Sequence, residues 1–126
     1  MTSTAARILV IDDDDAARRM MRRALERRGY TVLDADSGTA GIACITADRP
    51  DLVLLDLRMP GTMSGLDVAA AAKGDPAVRD IPIIIVSASV HTDARELVLQ
   101  TGCEDFAEKP VDFDYLDERI KLQLNR

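Results

Sequence analysis

The sequence has one histidine, two cysteines and no apolar run approaching the roughly 20 residues that a bilayer-spanning helix needs. Cys44 and Cys103 have no nearby Cys or His partner, so neither a disulfide framework nor a zinc spacing is present, and both read as free structural thiols. The opening MTSTAAR lacks the basic and apolar regions of a signal peptide, so a soluble, cytoplasmic protein is expected. A basic excess is missing too: Lys and Arg number 16 against 22 Asp and Glu, a net charge of −6. Phosphate backbones attract cations, so direct nucleic-acid binding is not expected. There is no repeat, low-complexity segment or linker. The 126 residues therefore read as one domain with a core over about 7–124 and nothing left for an output domain.

What is present is a regular alternation. Apolar runs at 8–11 (ILVI), 31–35 (TVLDA), 51–56 (DLVLLD), 81–88 (IPIIIVSA) and 105–109 (DFAEK) are separated by helical patterns, which predicts a parallel α/β sheet of five strands. The first, third and fourth runs are continuous and rich in branched residues, as strands covered on both faces are. The second and fifth carry charges and read as edges. Helices are predicted over Asp14 to Arg28 with Gly29 as its stop, Ser37 to Asp48, Leu66 to Lys73, Thr92 to Thr101 with Gly102 as its stop, and from Asp112 to the terminus. In the first of these, Ala17, Met20, Met21, Ala24 and Leu25 form one stripe, read as core, and Arg18, Arg19, Arg22, Arg23, Glu26 and Arg27 lie opposite.

Open parallel sheets bind ligands beyond the carboxyl ends of their strands. The residues there are Asp12 and Asp13, Asp56, Ser87 and Lys109. Each has an ordinary reading by itself: an acidic helix start for the Asp12–Asp15 run, a strand end, a turn hydroxyl, a solvated cation. Their joint placement outweighs these readings. Three convergent carboxylates stay ionised only beside a cation, and hard oxygen ligands suit Mg²⁺, so a metal site at Asp12, Asp13 and Asp56 is expected.

ILVIDDDDAARRMM, PDLVLLDLRMPG, IPIIIVSAS and DFAEKPVD, in this order and spacing, resemble the acidic-pair, phosphoacceptor, hydroxyl and lysine segments of receiver domains of two-component response regulators, in particular the stand-alone, chemotaxis-regulator-like type. The resemblance covers nearly the whole chain. It implies a flavodoxin-like fold with strand order 2-1-3-4-5, in agreement with the two edge readings, and a cis Lys109–Pro110 bond. It further implies that Asp56 accepts a phosphoryl group from the phospho-histidine of a sensor kinase or phosphotransfer protein, and that Asp12, Asp13, Asp56 and the backbone carbonyl of Arg58 hold Mg²⁺. Ser87 and Lys109 would bind the phosphoryl oxygens. Ser87 and Phe106 would form a conformational switch acting on a downstream protein through helix 4, strand 5 and helix 5; edge-strand packing is the plainer role for Phe106. The chain would be no enzyme beyond assisting its own phosphorylation and dephosphorylation, and a monomer or weak dimer. One departure is the loop PGTMSGLD, a residue longer between Pro60 and Gly65 than the family pattern.

Other classes fit less well. Haloacid-dehalogenase-like phosphatases need a second Asp two positions after the nucleophile, where Arg58 stands, and nucleotide-binding folds need a glycine-rich turn where this chain is Asp-rich. A phosphate-independent interaction module of the same fold is the remaining alternative. His91, the one histidine, reads as a surface or loop residue at the start of helix 4. The resemblance to receiver domains also implies that a protein phosphodonor approaches alongside helix 1, so Arg18 and Arg22, one helical turn apart, are its expected contacts.

Overall fold

The computed structural model describes residues 5–59, 61, 63–88 and 94–125. Strands β1 (Arg7–Ile11), β2 (Thr31–Ala35), β3 (Leu52–Asp56), β4 (Ile83–Ser87) and β5 (Asp105–Glu108) alternate with helices α1 (Asp15–Arg27), α2 (Gly38–Asp48), α3 (Gly65–Gly74), α4 (Ala94–Thr101) and α5 (Phe113–Leu124). All pairings are parallel and the order is β2-β1-β3-β4-β5, so the charged strands are the edges, as expected.

Alternation along the central strands divides the core in two. Leu9, Ile11, Val53, Leu55, Ile83 and Ile85 face α2, α3 and α4, where Ile45, Val68, Ala69 and Ala72 meet them. Ile8, Val10, Leu52, Leu54, Ile84 and Val86 face the other way, onto Met21 and Leu25 of α1 and Leu116 and Ile120 of α5. Both faces of β1, β3 and β4 are thus covered, which is why their sequences are continuous apolar runs instead of alternating ones. Each fully buried Leu or Ile contributes about 2 kcal/mol of transfer free energy to holding the strand ends in place.

The starts of α1, α2 and α5 each lie one residue after the expected one because the expected first residues are caps, whereas α3 starts at Gly65, one residue before the expected Leu66. Asp14, Ser37 and Asp112 lie outside α1, α2 and α5 in extended backbone, and their side chains accept from backbone N–H groups of the first turn. Ser64 and Asp67 form a reciprocal capping box on α3. Gly29 (φ 94°) and Gly102 (φ 78°) adopt the left-handed backbone that ends a helix cheaply only without a Cβ. Thr92, expected to start α4, lies outside the described residues, as do His91, Pro60 and Thr62. The Lys109–Pro110 peptide is cis. No described helix is long and apolar enough to cross a membrane.

One expectation about α1 fails. Met21 and Leu25 are buried and Ala17 and Ala24 partly so, but Met20 is 62% exposed. The helix rests on the sheet along its Met21–Leu25 line, and Met20, about 100° round the axis, falls beyond the contact edge beside Phe113 of α5.

Candidate functional site

The register of the sheet assembles the site as a staircase. Ile11 is opposite Leu55, which brings Asp12, the next residue, beside Asp56 at the end of β3. Asp56 in turn is opposite Val86, so Ser87 projects one step further, and Ser87 is opposite Glu108, which puts Lys109 one step beyond again. Parallel strands all end at the same side, so residues far apart in sequence meet at one edge.

Asp12, Asp13 and Asp56 each offer a carboxylate oxygen, and these oxygens lie within 4.8 Å of one another. Asp12 and Asp56 are buried, at 3% and 7% exposure. Asp13 is exposed, and among the described residues its side chain has no hydrogen-bond or ion-pair partner. Lys109 Nζ lies 3.0 Å from Asp12 Oδ2 and 3.5 Å from Asp56 Oδ2. The Asp14 N–H donates to Asp12 Oδ1 at 2.9 Å, and the Arg58 N–H to Asp56 Oδ1 at 3.1 Å. Three negative charges therefore face one positive charge. Burial pushes the Asp56 carboxyl above its ordinary value, against the lowering effect of the Arg58 N–H and the Lys109 ammonium. Burial pulls Lys109 down, but its contacts with Asp12 and Asp56 outweigh that, and its pKa is raised.

The donor set fits a hard divalent cation. It is all oxygen and carries a net charge that one lysine does not neutralise, and exposed Asp13 leaves one side open to water, as Mg²⁺ prefers. A cation there would remove the repulsion that burial makes costly.

Ser87 is buried at the end of β4, and its carbonyl accepts from the Lys109 N–H at 2.9 Å. Phe106, on the edge strand β5, is half-buried against the cluster containing Ile85. Gly65 opens α3 so close to the acceptor strand that a Cβ there would lie 2.5 Å from the Asp56 carbonyl oxygen and from the Leu57 Cα. Only glycine permits this approach, which fixes the backbone just after Asp56; the sequence marks the position only as a helix start.

The arginines of α1 divide differently from the sequence reading. Arg18 Nη2 is paired with Asp15 at 2.6 Å and its Nη1 donates to the Asp12 carbonyl at 2.9 Å. Arg22 is bridged to Asp34 at 3.0 Å and to Glu26 at 3.4 Å. The two residues expected to meet a donor thus already hold partners within the chain. Arg19, Arg23 and Arg27 form no ion pair among the described residues, and they line a groove floored by Ala16, Met20, Ala24 and Phe113. The i, i+3 spacing of Asp15 and Arg18 was the available signal for the first pair.

Residues 8–121 match the response regulator receiver domain. The polar-differentiation response regulator DivK of Brucella anthropi is 31% identical over 93% of this chain and 94% of its own length. The response regulator PleD of Caulobacter vibrioides is 38% identical over 93% of this chain, which spans only 26% of PleD. Among solved structures, a response regulator receiver domain protein from Clostridium thermocellum superposes with a TM-score of 0.87 at 31% identity, covering 96% of this chain and 95% of that one. The Vibrio cholerae chemotaxis protein CheY4, at 23% identity and a TM-score of 0.85 over 94% and 98% of the two chains, shares the fold. With the strand order, the acidic cluster and the lysine in one frame, the chain belongs to the receiver domains of two-component response regulators.

Proposed function

We propose that the chain accepts a phosphoryl group on Asp56 from the phospho-histidine of a sensor kinase or phosphotransfer protein, in a Mg²⁺-dependent reaction, and changes conformation to control a partner. The observation that carries this reading is the convergence of the Asp12, Asp13 and Asp56 carboxylates within 4.8 Å, with Lys109 against two of them. An Asp56 carboxylate oxygen forms the new bond to phosphorus, the bond to the donor nitrogen breaks, and that nitrogen keeps the electron pair. No general base is needed, since the attacking group is a carboxylate and not a hydroxyl or thiol.

Asp12, Asp13, Asp56 and the Arg58 carbonyl would hold Mg²⁺, which supplies charge stabilisation to the phosphoryl oxygens. Lys109 would add a second positive charge and Ser87 a hydroxyl donor. In this reading Ser87 moves toward the phosphoryl group, Phe106 turns further inward, and the surface of α4, β5 and α5 changes for a downstream protein. The donor docks along α1, with Arg19 and Arg23 as the available charges and Met20 and Phe113 as the apolar floor. The cytoplasm is the compartment where such donors act.

Acetyl phosphate with Mg²⁺ is expected to add one phosphate, detected by intact mass, to the wild-type chain and none to Asp56→Asn. Equal labelling of the two removes Asp56 as acceptor. Labelling of neither favours the phosphate-independent module.

A further inference from the structure

Asp13 is the one carboxylate of the cluster whose side chain has no partner among the described residues, so its position there is set by the backbone of the turn between β1 and α1. Four consecutive aspartates form that turn, and their mutual repulsion favours opening it. Several hydrogen bonds oppose the opening, three of them at Asp12 and Asp14. The Asp12 N–H donates to the Ala35 carbonyl at 3.1 Å, the Asp14 N–H donates to Asp12 Oδ1 at 2.9 Å, and Arg18 Nη1 donates to the Asp12 carbonyl at 2.9 Å. Of these three only the last comes from a charged side chain outside the turn; Lys109 Nζ also holds Asp12, through Oδ2 at 3.0 Å, but reaches only the first aspartate of the turn.

The same guanidinium holds Asp15 Oδ1 through Nη2 at 2.6 Å, so its fork spans the turn from its first aspartate to its last. Its side chain is 16% exposed, and the Arg18 N–H donates to the Asp14 carbonyl at 2.9 Å, closing the first helical turn beneath it. A planar fork suits this double role; an ammonium reaches one acceptor well but not both.

We infer that Arg18 is a positioning residue for the acidic site, clamping the Asp12–Asp15 turn so that the Asp13 carboxylate is already in place before a cation arrives. This rests on the reading of Asp12, Asp13 and Asp56 as a Mg²⁺ site. It makes a prediction of definite sign, because a mere nearby positive charge would repel Mg²⁺ and its removal would tighten binding, whereas removing a clamp loosens it.

Calorimetric titration of Mg²⁺ into the phosphate-free protein is expected to give about 10-fold weaker binding for Arg18→Ala, the lower end of what losing an outer partner of a metal ligand costs. Arg18→Lys should fall between the two. Arg22→Ala removes an equal charge one turn away, exposed to salt, and should bind within about twofold of wild type. Amide exchange in Mg²⁺-free protein gives a readout without the metal: the Asp14 N–H should exchange faster in Arg18→Ala than in wild type, with the strands unaffected. Mg²⁺ binding by Arg18→Ala as tight as wild type or tighter, or an Asp14 amide with unchanged exchange, overturns the clamp. Absence of Mg²⁺ binding by wild type overturns the metal site itself, and with it the role given to Arg18.

Discussion

Asparagine at position 56 is expected to stabilise the ion-free protein while abolishing the stabilisation that Mg²⁺ confers. The Asp56 carboxylate lies within 4.8 Å of oxygens of two other carboxylates and 3.5 Å from the Lys109 ammonium. At an effective dielectric constant of about 20, each repulsion at this range is about 3 kcal/mol and the attraction about 5 kcal/mol. Exposure of Asp13 screens its share, so the pairwise forces roughly cancel, and what remains is the cost of keeping a charge at a buried position. That remainder is what raises the Asp56 pKa. An asparagine carbonyl can still accept from the Arg58 N–H, so no donor is orphaned. The net gain should be about 1 to 2 kcal/mol, or about 5 °C in Tm for a domain of this size. Circular dichroism melts near pH 7, with and without Mg²⁺, test it. Wild type should gain about 1.4 kcal/mol at Mg²⁺ ten times its Kd, and Asp56→Asn nothing. An ion-free Asp56→Asn that melts below wild type would refute the reasoning, for then the Lys109 attraction outweighs burial and repulsion together.

Three further outcomes are expected. Gly65→Ala places a methyl 2.5 Å from backbone atoms of Asp56 and Leu57 and should cost about 1 to 3 kcal/mol in a denaturant titration, with weakened Mg²⁺ binding because Asp56 must shift. Lys73→Met, at the far ends of the strands, removes a half-buried ion pair with Glu104 and donors to the Arg79 and Ile81 carbonyls. Its loss should cost about 3 kcal/mol while leaving Mg²⁺ affinity at the wild-type value, and a changed affinity would contradict the separation of the two ends. Burial pushes the Asp117 carboxyl up, but the hydrogen bond from Tyr30 and the charges of Lys121 and Arg28 outweigh it, so its pKa is lowered in the fold. The stability it contributes is present above the unfolded value of about 3.9 and is lost as pH falls through the folded one. Asp117→Asn should therefore flatten the acid limb of a stability profile below about pH 4, and an unchanged limb would exclude it.

The sheet was legible because burial on both faces leaves a sequence mark that no other arrangement needs: ILVI, LVLL and IIIV have no polar residue to turn outward. Helix ends were legible to within a residue because Asp14, Ser37, Asp112, Gly29 and Gly102 act through their own backbone neighbourhood. What was not legible depends on distant partners. Arg18 and Arg22 look like a solvent row until the Asp12 carbonyl and Asp34 are seen beside them, and Met20 looks like core until the width of the α1 contact is known. Buried Asp105 and Asp117 likewise gave no local sign, since Arg119, which meets Asp105, lies on α5, and Tyr30, which meets Asp117, precedes β2. The site was read from position at strand ends, and its electrostatics needed coordinates.

The residues that meet at the acidic edge come from opposite ends of the chain: Lys109 is 97 positions from Asp12 and 53 from Asp56. No fragment that lacks β1, β3 or the segment after β5 can bring all three together. If the last strand and helix detach, the carboxylates lose the Lys109 ammonium while keeping their mutual repulsion, and β1 and β3 are then pushed apart at their carboxyl ends. A divalent ion bound there consequently favours the forms in which β1 and β3 stay paired at their carboxyl ends, so its affinity works as a gauge of that pairing. Local opening elsewhere, at the Lys73–Glu104 end for instance, leaves that gauge unmoved as long as β1 and β3 stay paired.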